Sequence, residues 1–106
     1  MPVIEVEGRM LELNEEGFLA NPADWNRAAA AALARKEEGI EELTEKHWAV
    51  VNFIREYYLD KGMAPMVRLM CKTTGLPLKE IYTLFPSGPA KGACKVAGLP
   101  KPDGCV

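Results

Sequence analysis

The sequence predicts a mainly α-helical fold, a small helical domain with an N-terminal β-hairpin, a helix-turn-helix-like portion and a flexible C-terminal arm. Three observations predict it. Apolar residues recur at helical spacing through the middle of the chain, glycines and prolines punctuate that pattern between helix-length segments, and the composition changes abruptly at Pro86.

Residues Ile4 to Leu13 alternate apolar and charged on either side of Glu7-Gly8, the pattern of a short two-stranded hairpin with one face on the core. Asn21-Pro22-Ala23-Asp24 reads as a helix start. Asn21 is the cap, Pro22 lies in the first turn, and an alanine-rich run follows to Glu38, where Gly39 stops it. Thr44 caps a second helix in which Trp48, Val51, Ile54 and Tyr58 recur at helical spacing while Val50, Phe53 and Tyr57 widen the stripe. That periodicity makes the aromatics core rather than a binding platform. Gly62 closes this helix. Pro65 opens a third through Met66, Leu69, Met70 and Thr73 that Gly75 stops, and Leu78, Ile81, Tyr82 and Phe85 form a short fourth ending at Pro86.

From Pro86 the sequence PSGPAKGACKVAGLPKPDGCV holds four prolines and four glycines in 21 residues, too many for one continuous helix or strand. A short helical stretch fits between Ala90 and Ala97, and Gly98 to Gly104 should be irregular. The predicted organisation is a core of residues 1–85 followed by a mobile arm of residues 86–106.

A chain of 106 residues, 48% hydrophobic and 26% charged, is an ordinary globular domain, large enough for a modest helical core and too small for a deep enzymatic cavity. No apolar run approaches the length needed to cross a bilayer, and the MPVIEVEG start carries acids where a signal peptide is basic and then apolar. A cytoplasmic location without membrane insertion is therefore expected. In that compartment three cysteines, an odd number without a repeated short pair, point to redox or nucleophilic chemistry rather than to structural disulfides. The net charge of −2 divides unevenly, the arm's side chains summing to +2 and leaving −4 on the body, a weak field that steers the arm towards an acidic partner.

Cys105 and Cys94 are the candidate reactive thiols. Cys105 is the penultimate residue, next to Gly104 and after Pro100 and Pro102, where a thiol gains little from packing. Cys94 stands eleven positions upstream, across glycines and prolines that let the chain fold back. Closing a ring of that size costs roughly 3 kcal/mol, equivalent to about 60 mV in favour of the reduced form. Such a bridge should be labile and suited to cycling. A flexible segment from Phe85 to Cys105 spans on the order of 25 Å, enough to enter a partner's buried site. Lys101 favours the Cys105 thiolate, whereas Asp103 and the terminal carboxylate of Val106 oppose it, so activation by a basic partner site is expected. Arg55, Arg68 and Lys101 are candidates for docking that partner, the two arginines alternatively for holding the base of the arm.

Two rival functions use the same residues. Ala64 to Phe85, with Thr74-Gly75 at the turn, has the layout of a DNA-reading helix-turn-helix in which Arg68, Lys72 and Lys79 would face phosphates. The acidic body lacks the basic stripe that phosphate neutralisation requires, which argues against nucleic acid. A Cys/His enzyme would use His47 as its base, yet His47 lies one helical turn before Val50 and Val51 on an apolar stripe, which suits a core or capping histidine better. Cys71, beside Met70 in mid-helix, reads as a buried, inert thiol. Cys71, Cys94, Cys105 and His47 show no metal-ligand spacing.

Five segments together carry a resemblance to a known family: GFL at Gly17 to Leu19, HW at His47-Trp48, FIREYY at Phe53 to Tyr58, APMVRLM at Ala64 to Met70 and LFPSGPAKGACKVAGLPKPDGCV to the end. They make the whole chain similar to the DsrC proteins, also called the gamma subunit of dissimilatory sulfite reductase, and to their sibling TusE of the tRNA-thiolation sulfur relay. The resemblance implies a sulfur carrier that is not an enzyme in its own right and has no cofactor of its own. It implies as partners the alpha and beta subunits of the reductase, which hold sirohaem and iron–sulfur clusters. It further implies that Cys105 accepts sulfite-derived sulfur near the sirohaem and that Cys94 then closes a trisulfide. A membrane-bound thiol/disulfide-oxidoreductase complex of the DsrMKJOP type would reduce that species to sulfide. TusE-like members generally lack the second cysteine, so Cys94 favours the dissimilatory branch over a persulfide relay with sulfurtransferases.

Overall fold

The computed structural model describes residues 3–99 of the chain, the Ala90 side chain excepted. It opens with strands β1 (Val3–Val6) and β2 (Arg9–Glu12), which pair antiparallel in the register Val3 with Glu12 through Val6 with Arg9. The two-residue turn needs left-handed backbone at both positions to match the twist of the strands, and Glu7 and Gly8 adopt it at φ 50° and 83°. Alternation then buries Ile4, Val6 and Leu11, which pack with Leu13, Leu19 and Leu33 as a small secondary core.

The first helix departs from expectation. Asn21 does cap, its Oδ1 accepting the Ala23 N–H at 3.0 Å, but the element it starts is a single 3-10 turn, Pro22–Asp24. Trp25 then runs extended. A second asparagine, Asn26, takes the Ala29 N–H at 2.8 Å to start α1 (Arg27–Glu38), which Gly39 ends in the left-handed region. The break has a tertiary cause, since it lets the Trp25 indole reach the C-terminal segment.

Helix α2 (Glu45–Lys61) follows the expected pattern and buries Val50, Val51 and Ile54. Trp48, Phe53, Tyr57 and Tyr58 flank that stripe half-buried. Helix α3 (Val67–Thr74) begins two residues after Pro65, and a three-residue turn at 75–77 joins it to α4 (Leu78–Leu84), the helix-turn-helix-like portion. The expected apolar positions Met70, Ile81 and Phe85 are buried in the main core.

Packed helical structure continues past Pro86, where the sequence reading begins the arm. A π-helical turn (Pro89–Ala93) leads directly into α5 (Cys94–Val96). Ala93, Cys94, Val96, Ala97 and Leu99 belong to the same core cluster as Phe18, Ile54 and Phe85. Burying side chains such as Val96 and Leu99 contributes about 1.5–3 kcal/mol each, so the body extends through Leu99. Of the predicted arm, residues 100–106 lie outside the described residues. No helix among the described residues is long and apolar enough to cross a membrane.

Candidate functional site

Cys94 opens α5 directly after the π-helical turn, a backbone feature met frequently at functional sites. Its side chain is buried, with 2% of the residue exposed. The helix ends in a Schellman motif. Gly98, at φ 73°, donates its N–H to the Lys95 carbonyl at 3.0 Å, and the Leu99 N–H donates to the Cys94 carbonyl at 3.1 Å. The motif therefore pairs two of the last four carbonyls and brings Leu99 back over the turn that holds Cys94.

Side chains from the body take the other two. Trp25 Nε1–H donates to the Val96 carbonyl at 2.9 Å, and Arg55 Nη1–H donates to the Ala97 carbonyl at 2.7 Å. The same guanidinium stacks on the Trp25 ring, with Cζ 4.2 Å from the centroid. Burial lowers the pKa of Arg55 from its ordinary value, and Tyr58 opposes that shift; guanidinium remains charged in proteins, so the clamp keeps its cation. Gly98 is confined by the same ring, because a Cβ there would stand 2.3 Å from Trp25 Cδ1.

Three further ties fix the segment upstream. Glu38, at the end of α1 and buried, accepts from the Ser87 N–H at 2.9 Å and from the Ser87 hydroxyl at 2.7 Å. Lys95 Nζ pairs with Glu37 Oε1 at 3.4 Å, both side chains largely shielded, and lies 5.2 Å from the Phe18 ring centroid. His47 joins α2 to the end of α4. Its Nδ1 accepts the Thr44 N–H at 3.0 Å, and its Nε2, 3.0 Å from the Leu84 carbonyl, must carry the proton because that carbonyl can only accept. Phe85 then packs edge-on against the ring at 5.2 Å. Both imidazole nitrogens are thus committed to holding the fold, in line with a capping histidine rather than a catalytic base.

The predicted site residues separate into three groups. Cys94 and Arg55 come together at α5, Arg55 holding the base of the C-terminal segment. Arg68 is exposed on α3. Cys105 and Lys101 lie outside the described residues. Cys71 is half-buried against the core rather than fully buried. Among the described residues no group of His, Cys, Asp and Glu gathers that could hold a metal ion. Sequence reasoning missed Trp25, Glu38 and the Schellman turn. The last had a signal, since glycine followed by an apolar residue after a helical stretch is the motif's signature.

This geometry defines a class, a small helical protein with one cysteine set in its core at the start of the short helix α5. The chain belongs to the DsrC-like protein family, whose model matches residues 5–106. It is 46% identical over 106 residues to the dissimilatory-type sulfite reductase subunit gamma of Nitratidesulfovibrio vulgaris, covering the whole of both chains. It is also 42% identical over 111 residues to the sulfurtransferase TusE of Yersinia pestis, covering 98% of this chain and all of the relative. Among solved structures, the oxidized gamma subunit (DsrC) of the dissimilatory sulfite reductase of Archaeoglobus fulgidus superposes with a TM-score of 0.89 at 45% identity, over 99% of this chain and 100% of that one. The solution structure of Allochromatium vinosum DsrC superposes at 0.84 with 47% identity, over 98% and 97%.

Proposed function

We propose that this chain is a sulfur-carrier protein and the physiological partner and co-substrate of a dissimilatory sulfite reductase, with Cys105 and Cys94 as its sulfur-bearing thiols. The observation that carries the reading is the place of Cys94. It sits in the core in the turn that Leu99 closes, the Leu99 N–H donating to its carbonyl, and Leu99 stands six positions before Cys105. Covalent geometry lets one sulfur return to the other. The relatives named as a reductase gamma subunit and as sulfurtransferases support the carrier role.

In this reading Cys105 accepts the sulfur of sulfite at the reductase, and Cys94 closes a trisulfide around it. Electron counting defines what each party supplies. Taking sulfite sulfur to the central atom of a trisulfide needs four electrons, two from the protein's thiols and two from the reductase, and the three oxygens leave as water. Four more electrons, from a membrane-bound thiol/disulfide oxidoreductase, release sulfide and regenerate both thiols. The chain supplies no cofactor; sirohaem and iron–sulfur clusters belong to the reductase.

Intact-protein mass spectrometry after incubation with the reductase and sulfite tests the proposal. Added sulfur atoms should vanish in Cys105→Ala, and Cys94→Ala should keep a persulfide while losing the internal bridge. Unchanged labelling of Cys105→Ala would remove that residue from the reaction. The TusE likeness favours a second reading, a persulfide relay for tRNA thiolation. That reading predicts sulfur loading from a cysteine-desulfurase relay instead of from sulfite, and no effect of Cys94→Ala.

A further inference from the structure

Charge is divided unevenly along this chain. Residues 1–45 hold eleven carboxylates against four cations, whereas residues 61–79 hold Lys61, Arg68, Lys72 and Lys79 and no carboxylate. Lys61 pairs with the neighbouring Asp60. Arg68, Lys72 and Lys79 are exposed and make no ion pair among the described residues. An acidic protein thus carries a locally cationic helix-turn-helix-like portion.

These cations stand among apolar side chains that the core does not use. Helix α3 buries Met70, and its exposed side bears Arg68, Leu69, Lys72 and Thr73, which lie three and four residues apart and so neighbour one another on one face. Met66, the N-cap, continues that face at 74% exposure, and Leu69 is 37% exposed. Leu59 in the last turn of α2 and Met63 just after it are exposed as well. A single exposed apolar residue is ordinary. Leu59, Met63, Met66 and Leu69 fall within 11 positions, beside cations without partners, which is the composition of an interface with an apolar centre and a charged rim.

We propose that this face of α3, with Met66 and Leu69 at its centre and Arg68 and Lys72 on its rim, docks a protein surface whose own apolar centre is ringed by carboxylates. Taking the dissimilatory sulfite reductase as that protein rests on the carrier reading given above. Two observations favour protein over nucleic acid. The exposed residues of α4, which reads bases in a helix-turn-helix, are Leu78, Lys79, Tyr82 and Thr83, one cation with no arginine, asparagine or glutamine to pair with base edges. Met66 and Leu69 gain nothing from phosphates, whereas an apolar partner buries them. The carboxylates elsewhere on the chain repel an acidic partner and turn the α3 face towards it during encounter.

Surface plasmon resonance of the full-length chain on immobilised reductase tests the assignment. At low ionic strength, Arg68→Glu with Lys72→Glu should slow association about tenfold, and the deficit should shrink as salt is raised. Met66→Ser with Leu69→Ser should speed dissociation about tenfold, with little dependence on salt. Arg35→Glu with Lys36→Glu makes an equal change of charge at exposed positions of α1. It should slow association less than about threefold, which separates a local face from net charge. Should Leu69, the least exposed of the substituted apolar residues, cost the fold, Met66→Ser alone carries the apolar test.

Wild-type binding that the α3 substitutions leave unchanged, or that the α1 pair slows as much as the α3 pair, overturns the docking face alone. A wild-type chain that binds no reductase at any ionic strength overturns the reading of the reductase as partner and this proposal with it. A DNA duplex of about 20 base pairs, long enough for two half-sites, serves as the competing ligand. Tight binding of it by the wild type, lost in Arg68→Glu with Lys72→Glu, would reassign the face to nucleic acid and overturn the protein partner.

Discussion

Glu38 grips Ser87 with both carboxylate oxygens, Oε1 on the backbone N–H at 2.9 Å and Oε2 on the hydroxyl at 2.7 Å. The pair ties the end of α1 to the loop that follows α4, and with Gly92 packed beside the same carboxylate it seats the π-helical turn before Cys94. A Cβ on Gly92 would stand 2.5 Å from Glu38 Oε1.

Removing the carboxylate takes two charge-assisted hydrogen bonds from Ser87, which is itself exposed and can turn to water, so the cost is mainly that of the lost bonds. Glu38→Ala should destabilise the protein by about 2–3 kcal/mol, read as a lower urea midpoint with an unchanged slope. A loss within experimental error would show that the loop is held elsewhere.

His47 serves the fold at both nitrogens. His47→Ala should cost about 2 kcal/mol, one neutral hydrogen bond at each end together with half of a capping box. Alkylation of Cys105 in the folded variant should keep its wild-type rate. Slowing of that reaction without loss of stability would restore His47 as a general base.

Cys94 and Cys105 should differ sharply towards reagents. With 2% of Cys94 exposed, its alkylation requires opening of the packed segment, so in separate single-cysteine variants Cys94 should react at least tenfold more slowly than Cys105 (order of magnitude, roughly 1.4 kcal/mol of opening free energy). Equal rates by mass spectrometry would contradict the buried placement.

Arg68 is exposed on α3, so Arg68→Ala should change stability by less than about 0.5 kcal/mol. If the helix-turn-helix-like face docks the reductase, the same change should slow association and reduce its salt dependence. Surface plasmon resonance at two ionic strengths measures both, and an unchanged association rate would take Arg68 out of the interface.

The elements legible in the sequence are those whose signals are local. The hairpin follows from alternation around Glu7-Gly8, α2 from the Thr44 cap and its apolar stripe, and the ends of α1, α2 and α3 from glycines that adopt the left-handed region. The elements that were missed answer to distant partners. Asn21 and Asn26 are equally good caps, and which one starts the long helix depends on Trp25 reaching Val96, 71 positions away. The short helical stretch expected between Ala90 and Ala97 is present, but its start at Pro89 and its π-helical turn go beyond local signals, because Pro89 and Gly92 argue against a helix on propensity alone. Yet Pro89 sits in the first turn, where its missing N–H costs nothing, and Gly92 is the residue that fits against Glu38. Of the described site, Cys94 and Arg55 are legible as residue types, whereas the pairing of the Val96 and Ala97 carbonyls with Trp25 and Arg55 is a product of tertiary packing.

The seat of Leu99 in the core has a consequence for any macromolecule that receives this protein. Cys105 stands six positions beyond that anchor, a chain length that could measure at most about 20–22 Å. In the carrier reading proposed above, a reactive centre that takes sulfur to Cys105 while the core stays packed lies within that distance of Leu99, so the reach of the thiol is limited by where one leucine is buried.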